Sequence, residues 1–364
     1  MYSILKADSS NAGDYLIFAS CKKLVRQIVP ETKFLEFTHQ QDLGNFLEKL
    51  NSTKALLIPH LGIRNQMWPQ VYRLTDDLSK IKIPIIAIGT GAKEMSPILI
   101  DNHKSKDQFD IKKTNVKFSE SVNELFSNIH QPISVRDIYT KTVLDNNGFT
   151  NNVLTGDPAW YDFENMDKEF KIPETVNKIS FTTPHAPWMM EQAKSILDVL
   201  TSIWPNSEIF CCLHSGTNME DQIVSDYAKQ LGCTEKVLRT TDDFEFYKTS
   251  DIHIGYRLHS HIFHLRNNIP SWLIYEDARG WAFDRSFSNK IGFQGIELPQ
   301  NKLIHYMKNR GRLRNFAVKQ NLRNEIKSIF TSENMFAQYK SLNGFFSQAW
   351  TEKMKPYLES VLTK

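Results

Sequence analysis

Residues 251–277 read DIHIGYRLHSHIFHLRNNIPSWLIYED, and this stretch decides the fold class. Two short runs of β-branched and aromatic residues flank a longer run whose apolar residues recur at helical intervals. We predict a strand over 251–256, a helix over 258–267 and a strand over 271–275. This order of elements is typical of a parallel sheet with crossover helices.

The same alternation extends over most of the chain. In the second half it predicts strands over 178–182, 208–213 and 236–240, with helices over 187–203 and 218–231. In the first half it predicts helices over 14–28 and 119–129 and strands over 3–6, 33–37, 55–59, 85–89, 133–136 and 153–156. Beyond residue 299 the pattern is helical. The sequence therefore predicts an α/β protein with two Rossmann-like, doubly wound domains that face a cleft.

The boundary between the domains is predicted from composition. Residues 166–177 are charged, lack apolar periodicity and contain Pro173, which is typical of a linker. We expect an N-terminal domain over 1–165, a C-terminal domain over 178–330, and terminal helices over 331–364 that pack back on the first domain. A chain of 364 residues is also long enough to favour two hydrophobic cores.

Composition excludes several classes of protein. A net charge of +3 gives no argument for nucleic acid binding, and the four cysteines form neither a disulfide framework nor a C-x-x-C pair. No window approaches the roughly 20 apolar residues of a membrane helix, and the start of the chain does not resemble a signal peptide. We expect a cytoplasmic protein.

One stretch is strongly basic. Between residues 302 and 327 there are eight lysines and arginines but a single acidic residue, Glu325. This pattern is typical of a solvated helix face. It would also suit contact with an anionic membrane surface or with the diphosphate of a lipid-linked acceptor, which would make the protein peripheral at the inner face of the membrane.

The strand end at Arg257 is the first candidate site. In open parallel sheets ligands bind outside the carboxyl ends of the strands, and a helix start attracts anions. Arg257 could hold a phosphate or carboxylate in a fork, and His259 could move a proton, with Ser260 in the same first helical turn. Alternatively, Arg257 forms a structural ion pair and His259 caps the helix.

Polar residues also follow the strands of the first domain. Asn11, Gly13 and Asp14 come after the first strand, where Asp14 is either a base toward a sugar hydroxyl or the N-cap of the next helix. Arg136 ends another strand. We do not expect it to pair with Asp137, because neighbours in a strand point to opposite faces.

The histidines around Arg257 are candidate metal ligands. His253, His259, His261 and His264 lie within one short stretch, but no acidic third ligand stands at helical spacing. We therefore predict neither a metal nor a cofactor.

Four blocks of sequence together resemble the polysaccharide pyruvyl transferase family. They are Asn11-Ala-Gly13-Asp14, Ser134-Val-Arg136-Asp137, Gly156-Asp157-Pro158-Ala159, and Arg257-Leu-His259 followed by Asn268-Ile-Pro270 and Leu273-Ile-Tyr275-Glu-Asp277. The resemblance implies a GT-B-like pair of domains. It also implies transfer of the pyruvyl group of phosphoenolpyruvate onto two hydroxyls of a sugar in a surface glycan or its precursor, with release of phosphate.

The resemblance also suggests roles for single residues. The phosphoenolpyruvate site would lie in the second domain, the acceptor in the first, and the acceptor would be a sugar or a lipid-linked oligosaccharide. We expect Arg257 and Arg136 to hold the anionic donor and His259 to act as general acid. His185 and His214 would contact donor or acceptor, and Arg279 replaces a lysine common in the family.

Two other functions remain open from the sequence. A GT-B glycosyltransferase would use the same two domains with a nucleotide sugar, and Arg257 would then bind the diphosphate. A non-catalytic descendant would bind a glycan or a partner protein. Retention of both Arg257 and His259 argues against the second of these.

Overall fold

The computed structural model describes residues 1–7, 11–64, 67–92, 116–214, 219–286, 291–297 and 317–363. The chain divides into two compact units. The first contains the described residues of 1–94, 114–167 and 344–364, and the second contains those of 168–343. Residues 168–177, which the sequence assigns to a linker, thus belong to the second unit.

The first unit is built on a parallel sheet. Its four central strands lie in the order β2-β1-β3-β5, and the short strands β4 and β6 form a parallel pair of their own. The strands are β1 (Tyr2–Lys6), β2 (Phe34–Thr38), β3 (Leu56–Pro59), β4 (Gly62–Ile63), β5 (Ile85–Ile88) and β6 (Gly91–Ala92). Strands β3 and β5 are almost entirely apolar and buried, as expected for a sheet that is covered on both faces.

Two further parallel strands continue this unit. Strand β7 (Ile133–Val135) pairs with β8 (Asn152–Leu154), and an isolated parallel bridge joins Ile85 of β5 to Ile129. The helices of the unit are α1 (Ala12–Ile28), α2 (Leu47–Asn51), α3 (Glu120–Asn128) and α4 (Ile138–Asn146). Helix α1 buries one apolar stripe, including Leu16, Ile17 and Leu24.

The second unit carries a six-stranded parallel sheet in the order β11-β10-β9-β12-β13-β14. Its strands are β9 (Lys178–Thr182), β10 (Glu208–Leu213), β11 (Thr234–Val237), β12 (Ile252–Gly255), β13 (Ser271–Tyr275) and β14 (Gly292–Gln294). Its crossover helices are α5 (Met190–Ile203), α6 (Met219–Gln230), α7 (Leu258–Arg266) and α8 (Ala278–Arg285). Counted within the unit, the order is 3-2-1-4-5-6, which is that of the Rossmann fold. The prediction of doubly wound α/β domains is confirmed.

The strand order fixes where a ligand can bind in the second unit. The order of connections reverses between β9 and β12, the first and fourth strands of the unit. In a doubly wound sheet the crevice for ligands opens at this switch point, beyond the carboxyl ends of the two strands. Thr183 directly follows β9 there, and Arg257 is the second residue after β12.

The end of the chain returns to the first unit. After β15 (Ile296–Glu297), β16 (Ala317–Val318), α9 (Leu322–Phe330) and α10 (Ala337–Lys340), the chain continues into α11 (Phe345–Ala349), a π-helical turn and α12 (Lys355–Leu362). The Tyr357 hydroxyl donates to the Ala87 carbonyl of β5 at 2.8 Å, and the Tyr2 hydroxyl donates to the Leu362 carbonyl at 2.8 Å. The expected return of the terminal helices is thus confirmed from residue 344 onward.

Several details of the predicted elements were wrong, and helices α4 and α8 were not predicted at all. The strand expected over 236–240 lies at Thr234–Val237. The short strand β14 was missed, because three residues are too few for a periodicity. The stretch beyond residue 299 is not wholly helical, since β16 pairs antiparallel with β15. Within the described residues, no helix combines the length and the apolar character needed to cross a bilayer.

Candidate functional site

Arg257 stands at the switch point of the second sheet. Strand β12 ends at Gly255, helix α7 begins at Leu258, and Arg257 is the N-cap residue in extended conformation. Its backbone N–H donates to the Thr182 hydroxyl oxygen at 3.2 Å. Because arginine carries no acceptor, its side chain cannot cap the first-turn N–H groups of α7, which keeps that helix start suited to an anion.

The Arg257 guanidinium lies across the residues that follow β9. Its Nε donates to the Thr183 carbonyl at 3.0 Å, and its Nη2 lies 3.4 Å from the Pro184 carbonyl oxygen. Its Nη1 contacts His185 Nδ1 at 3.3 Å. The side chain is 10% exposed. The guanidinium is therefore held in place while part of Nη1 remains for a ligand.

Asp221, which the sequence did not single out, is the ionic partner of Arg257. Arg257 Nη2 lies 3.3 Å from Asp221 Oδ1, and this carboxylate is fully buried in the first turn of α6. It also accepts a hydrogen bond from the Thr183 hydroxyl. Arg257 thus does form an ion pair, one of the two alternatives left open by the sequence. His259, by contrast, is the second residue of α7 and does not cap it.

Glu276 is a second acid that the sequence did not assign to the site. It directly follows β13, is buried, and accepts hydrogen bonds from the backbone N–H groups of His185 at 2.8 Å and Ala186 at 3.1 Å. Burial, and then the neighbouring Asp277, raise the pKa of Glu276 to about 7. Its position after a strand was visible in the sequence, but its burial was not.

His185 and Arg279 lie near Arg257. Because arginine only donates, the contact with Arg257 makes His185 Nδ1 an acceptor and leaves the ring proton on Nε2. Burial, and then the charges of Arg257 and Arg279, lower the pKa of His185, which is therefore neutral at pH 7. Arg279 pairs with Asp277, the N-cap of α8, through Nε at 2.7 Å.

The remaining candidate site residues of the second unit differ in how far they are buried. His259 is half-buried and Ser260 is buried in the first turn of α7. His214 is only 2% exposed, and its Nε2 lies 2.8 Å from the Tyr247 hydroxyl. Burial, and then Arg257 and His259, lower the pKa of His214 well below its usual value. The structure thus brings Arg257, His185 and Arg279 together but buries His214.

The other histidines of this stretch belong to the core. His253 and His261 each contact the Ser271 hydroxyl through Nδ1, at 2.7 and 2.6 Å. His264 contacts the Ser260 carbonyl and stacks on His253 with ring centroids 4.4 Å apart. Burial lowers the pKa of all three, that of His264 to about 3. In the part of the chain that is described, no group of His, Cys, Asp and Glu is arranged to hold a metal ion.

In the first unit, Asn11, Gly13 and Asp14 form the start of helix α1. Asn11 is the N-cap, and its side-chain oxygen accepts from the Gly13 N–H at 2.9 Å. Asp14 is the third residue of the helix, so the alternative in which Asp14 caps it is wrong. The carboxylate of Asp14 instead lines a cavity at the carboxyl ends of β1 and β3.

Arg136 pairs with Asp137 after all. The Arg136 Nε lies 2.9 Å from Asp137 Oδ2, and both side chains are buried, Arg136 with 0% exposed. The prediction failed because β7 already ends at Val135, so the two residues are not neighbours within a strand, and Asp137 is the N-cap of α4. The contact of Arg136 with the donor stays a prediction. The guanidinium of Arg136 has no exposed surface in this structure.

His60 is the residue of the first unit that the sequence did not reveal. It follows β3, and both of its ring nitrogens lie 3.2 Å from Arg136 Nη1. Its Nδ1 lies 3.9 Å from Asp157 Oδ2. Its only sequence signal was its place after a strand.

The comparison of sequences now bears on this geometry. The sequence profile of the family described as polysaccharide pyruvyl transferase matches residues 11–277. The chain belongs to the polysaccharide pyruvyl transferase family. The match covers the start of α1, Arg136, Arg257 and Glu276. Membership makes the chain part of a transferase family of polysaccharide biosynthesis, which implies a sugar or oligosaccharide acceptor. No curated protein matches the sequence.

Solved structures resemble this pyruvyl transferase family member in fold. S. aureus MnaA with UDP has a TM-score of 0.53 at 12% identity, with 100% of this chain and 98% of that chain covered. UDP-GlcNAc 2-epimerase from Neisseria meningitidis, bound to UDP-GlcNAc, has a TM-score of 0.53 at 10% identity, with 100% of both chains covered. Acinetobacter baumannii MurG has a TM-score of 0.50 at 7% identity, with 100% and 99% covered. These likenesses show the GT-B type of fold.

Proposed function

We propose that this protein transfers the pyruvyl group of phosphoenolpyruvate onto two hydroxyls of a sugar, in a surface glycan or its precursor. The product is a cyclic ketal, and inorganic phosphate is released. We further propose a cytoplasmic enzyme that needs no metal or cofactor and whose acceptor is a free or lipid-linked saccharide.

The observation that carries the proposal is the crevice at the switch point of the second unit, which holds two arginines, Arg257 and Arg279, each positioned by a carboxylate. A donor with a phosphate and a carboxylate needs more than one cationic group. Arg257 supplies a guanidinium held by Asp221, Arg279 adds a second nearby charge, and helix α7 offers the N–H groups of its first turn. Such a site suits a small, multiply charged anion.

The proton chemistry assigns further roles. The methylene carbon of the donor must take up a proton, which leaves a cationic carbon that the first sugar hydroxyl attacks. Phosphate then departs, and the second hydroxyl closes the ring. We assign the protonation of the methylene carbon to His259, the half-buried imidazole two residues after Arg257. Glu276, with its pKa near 7, is placed to hold a second proton beside the donor.

A single assay separates the candidate functions. Purified protein is incubated with phosphoenolpyruvate and with p-nitrophenyl glycosides of common hexoses and N-acetylhexosamines. We expect release of phosphate that depends on the glycoside, and a glycoside whose mass grows by one pyruvate less one water. Release of UDP from a UDP-sugar, with no phosphate from phosphoenolpyruvate, would instead establish the glycosyltransferase alternative. If the protein releases neither phosphate nor UDP, the result would support a binding protein.

The proposed contact with a membrane rests on the basic stretch over 302–327. Residues 302–316 lie outside the described residues. Of the rest, Lys319 pairs with Glu325 at 2.5 Å, while Arg323 and Lys327 are exposed on α9. If the stretch binds anionic lipid, the protein should sediment with phosphatidylserine vesicles and be released by salt. Absence of sedimentation at low salt would end this part of the proposal.

A further inference from the structure

His60 has an unusual backbone conformation at the end of a buried strand. Its φ of 53° lies in the left-handed region, which few residues other than glycine adopt. Strain of this kind persists only where the surroundings enforce it, and it occurs often at functional sites. This backbone conformation directs the His60 imidazole into buried surroundings, and the residue is only 8% exposed.

The imidazole lies between a buried cation and a buried anion. Arg136 Nη1 is 3.2 Å from both ring nitrogens of His60, Nδ1 and Nε2. Because it is equally far from both, Nη1 is not aligned with the lone pair of either ring nitrogen. On the other side, Asp157 Oδ2 lies 3.9 Å from Nδ1. The other oxygen of Asp157 accepts from the Ala159 N–H at 2.9 Å, which fixes the carboxylate. The fixed carboxylate of Asp157 would stabilise a proton taken up by this imidazole, against the opposing charge of Arg136.

His60 lines a cavity that belongs wholly to the first unit. The cavity has a volume of about 180 Å³ and lies beyond the carboxyl ends of β1, β2 and β3, with Asp14, His39 and Tyr72 also in its wall. Pockets for drug-sized ligands occupy roughly 300–1,000 Å³, so this one suits a single small ring. The rings of His39 and Tyr72, 5.7 Å apart, provide apolar faces, while Asp14 and His60 provide polar groups for hydroxyls.

Charge at the cavity favours a sugar that carries an anion. Lys6 and Arg64 line it together with a single carboxylate, that of Asp14. The phosphate of a sugar phosphate or of a lipid-linked sugar would meet these two cations. A sugar phosphate and a lipid-linked sugar would present the same phosphate group to the cavity.

We infer that this cavity holds the acceptor sugar and that His60 is the general base that takes the proton from its attacking hydroxyl. The inference rests on the proposed function. The hydroxyl oxygen forms a bond to the central carbon of the protonated donor with its own electron pair. Its proton passes to the imidazole, and the carboxylate of Asp157 stabilises the resulting cation. Phosphate leaves with the electrons of its bond to that carbon, the second hydroxyl oxygen bonds to the same carbon to close the ketal, and the proton of this hydroxyl passes to the departing phosphate.

The test uses His60→Gly, because glycine adopts the left-handed conformation without strain and leaves room for an added imidazole. With phosphoenolpyruvate and an active p-nitrophenyl glycoside, we expect kcat to fall by about 10²–10⁴, the range for a lost general base. Added imidazole should restore part of kcat, and phosphoenolpyruvate affinity in calorimetry should stay unchanged. A wild-type kcat, or a loss that imidazole does not relieve, would overturn the role of His60.

Two further variants keep the test decisive. His39→Gly removes an imidazole from the same cavity and should raise the KM for the glycoside without rescue of kcat by imidazole. Asp14→Asn should behave in the same way. If Asp14→Asn lowers kcat while His60→Gly does not, the base is Asp14. Should His60→Gly fail to fold, His60→Asn replaces it, since asparagine also tolerates this conformation, and a folded His60→Asn with normal kcat overturns the inference.

Failure of the proposed function gives a different result. If wild-type protein releases no phosphate with any glycoside, the proposed function fails and His60 has no such proton to take. The cavity is then tested by itself with N-acetylglucosamine 1-phosphate, followed by NMR of the histidine ring protons. Saturable shifts that His60→Asn and His39→Gly abolish would support a sugar site, and absence of shifts would overturn it.

Discussion

Arg257 owes its position to three neighbours that the strand order brings to it. The Thr183 carbonyl, the His185 ring and the Asp221 carboxylate each take one part of the guanidinium. A buried carboxylate next to the proposed donor site lowers the net positive charge there, but it also keeps the guanidinium from moving. We regard Asp221 as the residue that positions Arg257.

Replacing Arg257 by alanine should abolish phosphoenolpyruvate binding. The loss should be on the order of 2–5 kcal/mol, the usual cost of removing one member of a buried charge pair. Because Asp221 would also lose its partner, the variant should be less stable to urea. The double variant Arg257→Ala with Asp221→Asn separates the two effects.

In the double variant, urea stability should recover while donor affinity in calorimetry does not. Arg323→Ala, which removes an exposed arginine of α9, is the matched control and should change neither quantity. Unchanged donor affinity in Arg257→Ala would place the donor site elsewhere.

His259→Asn should separate donor binding from chemistry. An asparagine keeps a polar side chain but cannot transfer a proton, so turnover should fall by about 10²–10⁴ while phosphoenolpyruvate still binds. Steady-state release of phosphate and calorimetry with the donor measure the two effects. A variant with normal turnover would remove His259 from the mechanism.

Glu276 should make donor affinity depend on pH. Its pKa of about 7 means that the carboxyl is largely neutral below pH 7 and becomes an anion above it, where it repels the anionic donor. Phosphoenolpyruvate affinity of the wild type should therefore fall as pH rises through about 7. Glu276→Gln, which stays neutral, should keep its affinity at pH 8.

The same ionisation affects stability with a definite sign. The folded-state pKa of Glu276 lies above its unfolded value, so its contribution is fully present below the unfolded pKa and is lost as pH rises through 7. Glu276→Gln should gain stability to urea relative to the wild type as pH rises from about 4.5 to about 7, and the difference should stay constant above that. Glu352→Gln, at an exposed position, is the control, and its curve of urea stability against pH should run parallel to that of the wild type. If the curve of Glu276→Gln also ran parallel to that of the wild type, the raised pKa of Glu276 would be contradicted.

At the scale of elements, strands β9 and β12 meet closely where the site begins. A Cβ added at Gly255 would lie 2.5 Å from the backbone N and 2.6 Å from the backbone O of Thr182. Backbone atoms cannot move aside as a flexible side chain can. Glycine is therefore required for the two strands to lie close enough for the Arg257 N–H to reach the Thr182 hydroxyl.

Gly255→Ala should force these strands apart at their carboxyl ends. We expect a loss of about 1–3 kcal/mol in the free energy of unfolding, the usual cost of overpacking, together with weaker phosphoenolpyruvate binding. Gly232→Ala is the control, since Gly232 has a positive φ of 83° but no atom within 4 Å of an added Cβ. It should lose stability through strain and keep donor affinity. Equal donor affinity in both variants would contradict this account of Gly255.

At the scale of the whole molecule, the last helix completes the first unit. Residues 344–363 pack with a domain whose other described residues end at 167, and the Tyr357 hydroxyl reaches strand β5. A contact between residues 270 positions apart stabilises only the finished fold, because closing so long a loop costs entropy. The C-terminal segment is thus part of the core of the first unit.

Tyr357→Phe should destabilise the first unit by about 1–3 kcal/mol, because the buried Ala87 carbonyl would lose its donor. Hydrogen exchange at the amides of β5 should become faster, whereas phosphoenolpyruvate affinity of the second unit should not change. Tyr227→Phe removes a more exposed hydroxyl bond, to Asp198, and should have a smaller effect. Unchanged exchange in β5 would show that the Tyr357 bond contributes nothing.

Sequence by itself determined most of the elements and several members of the site, among them Arg257, His185 and Arg279. Apolar periodicity is a local property, so β9, β10 and β13 lie at the predicted bounds and α7 begins at the predicted residue. The position of Arg257 at a strand end followed from the same pattern. The family resemblance added the GT-B type of fold, which the structure shares.

Only the tertiary structure decided which residues meet. The strand order places β9 beside β12, and this brings His185 and Asp221 to Arg257 across separations of 72 and 36 residues. In the first unit, the arrangement of the strands likewise brings Arg136 to His60 across 76 residues. No local pattern encodes such pairings, because they depend on how whole strands are ordered in the sheet. Burial, which sets the pKa of Glu276, is decided in the same way.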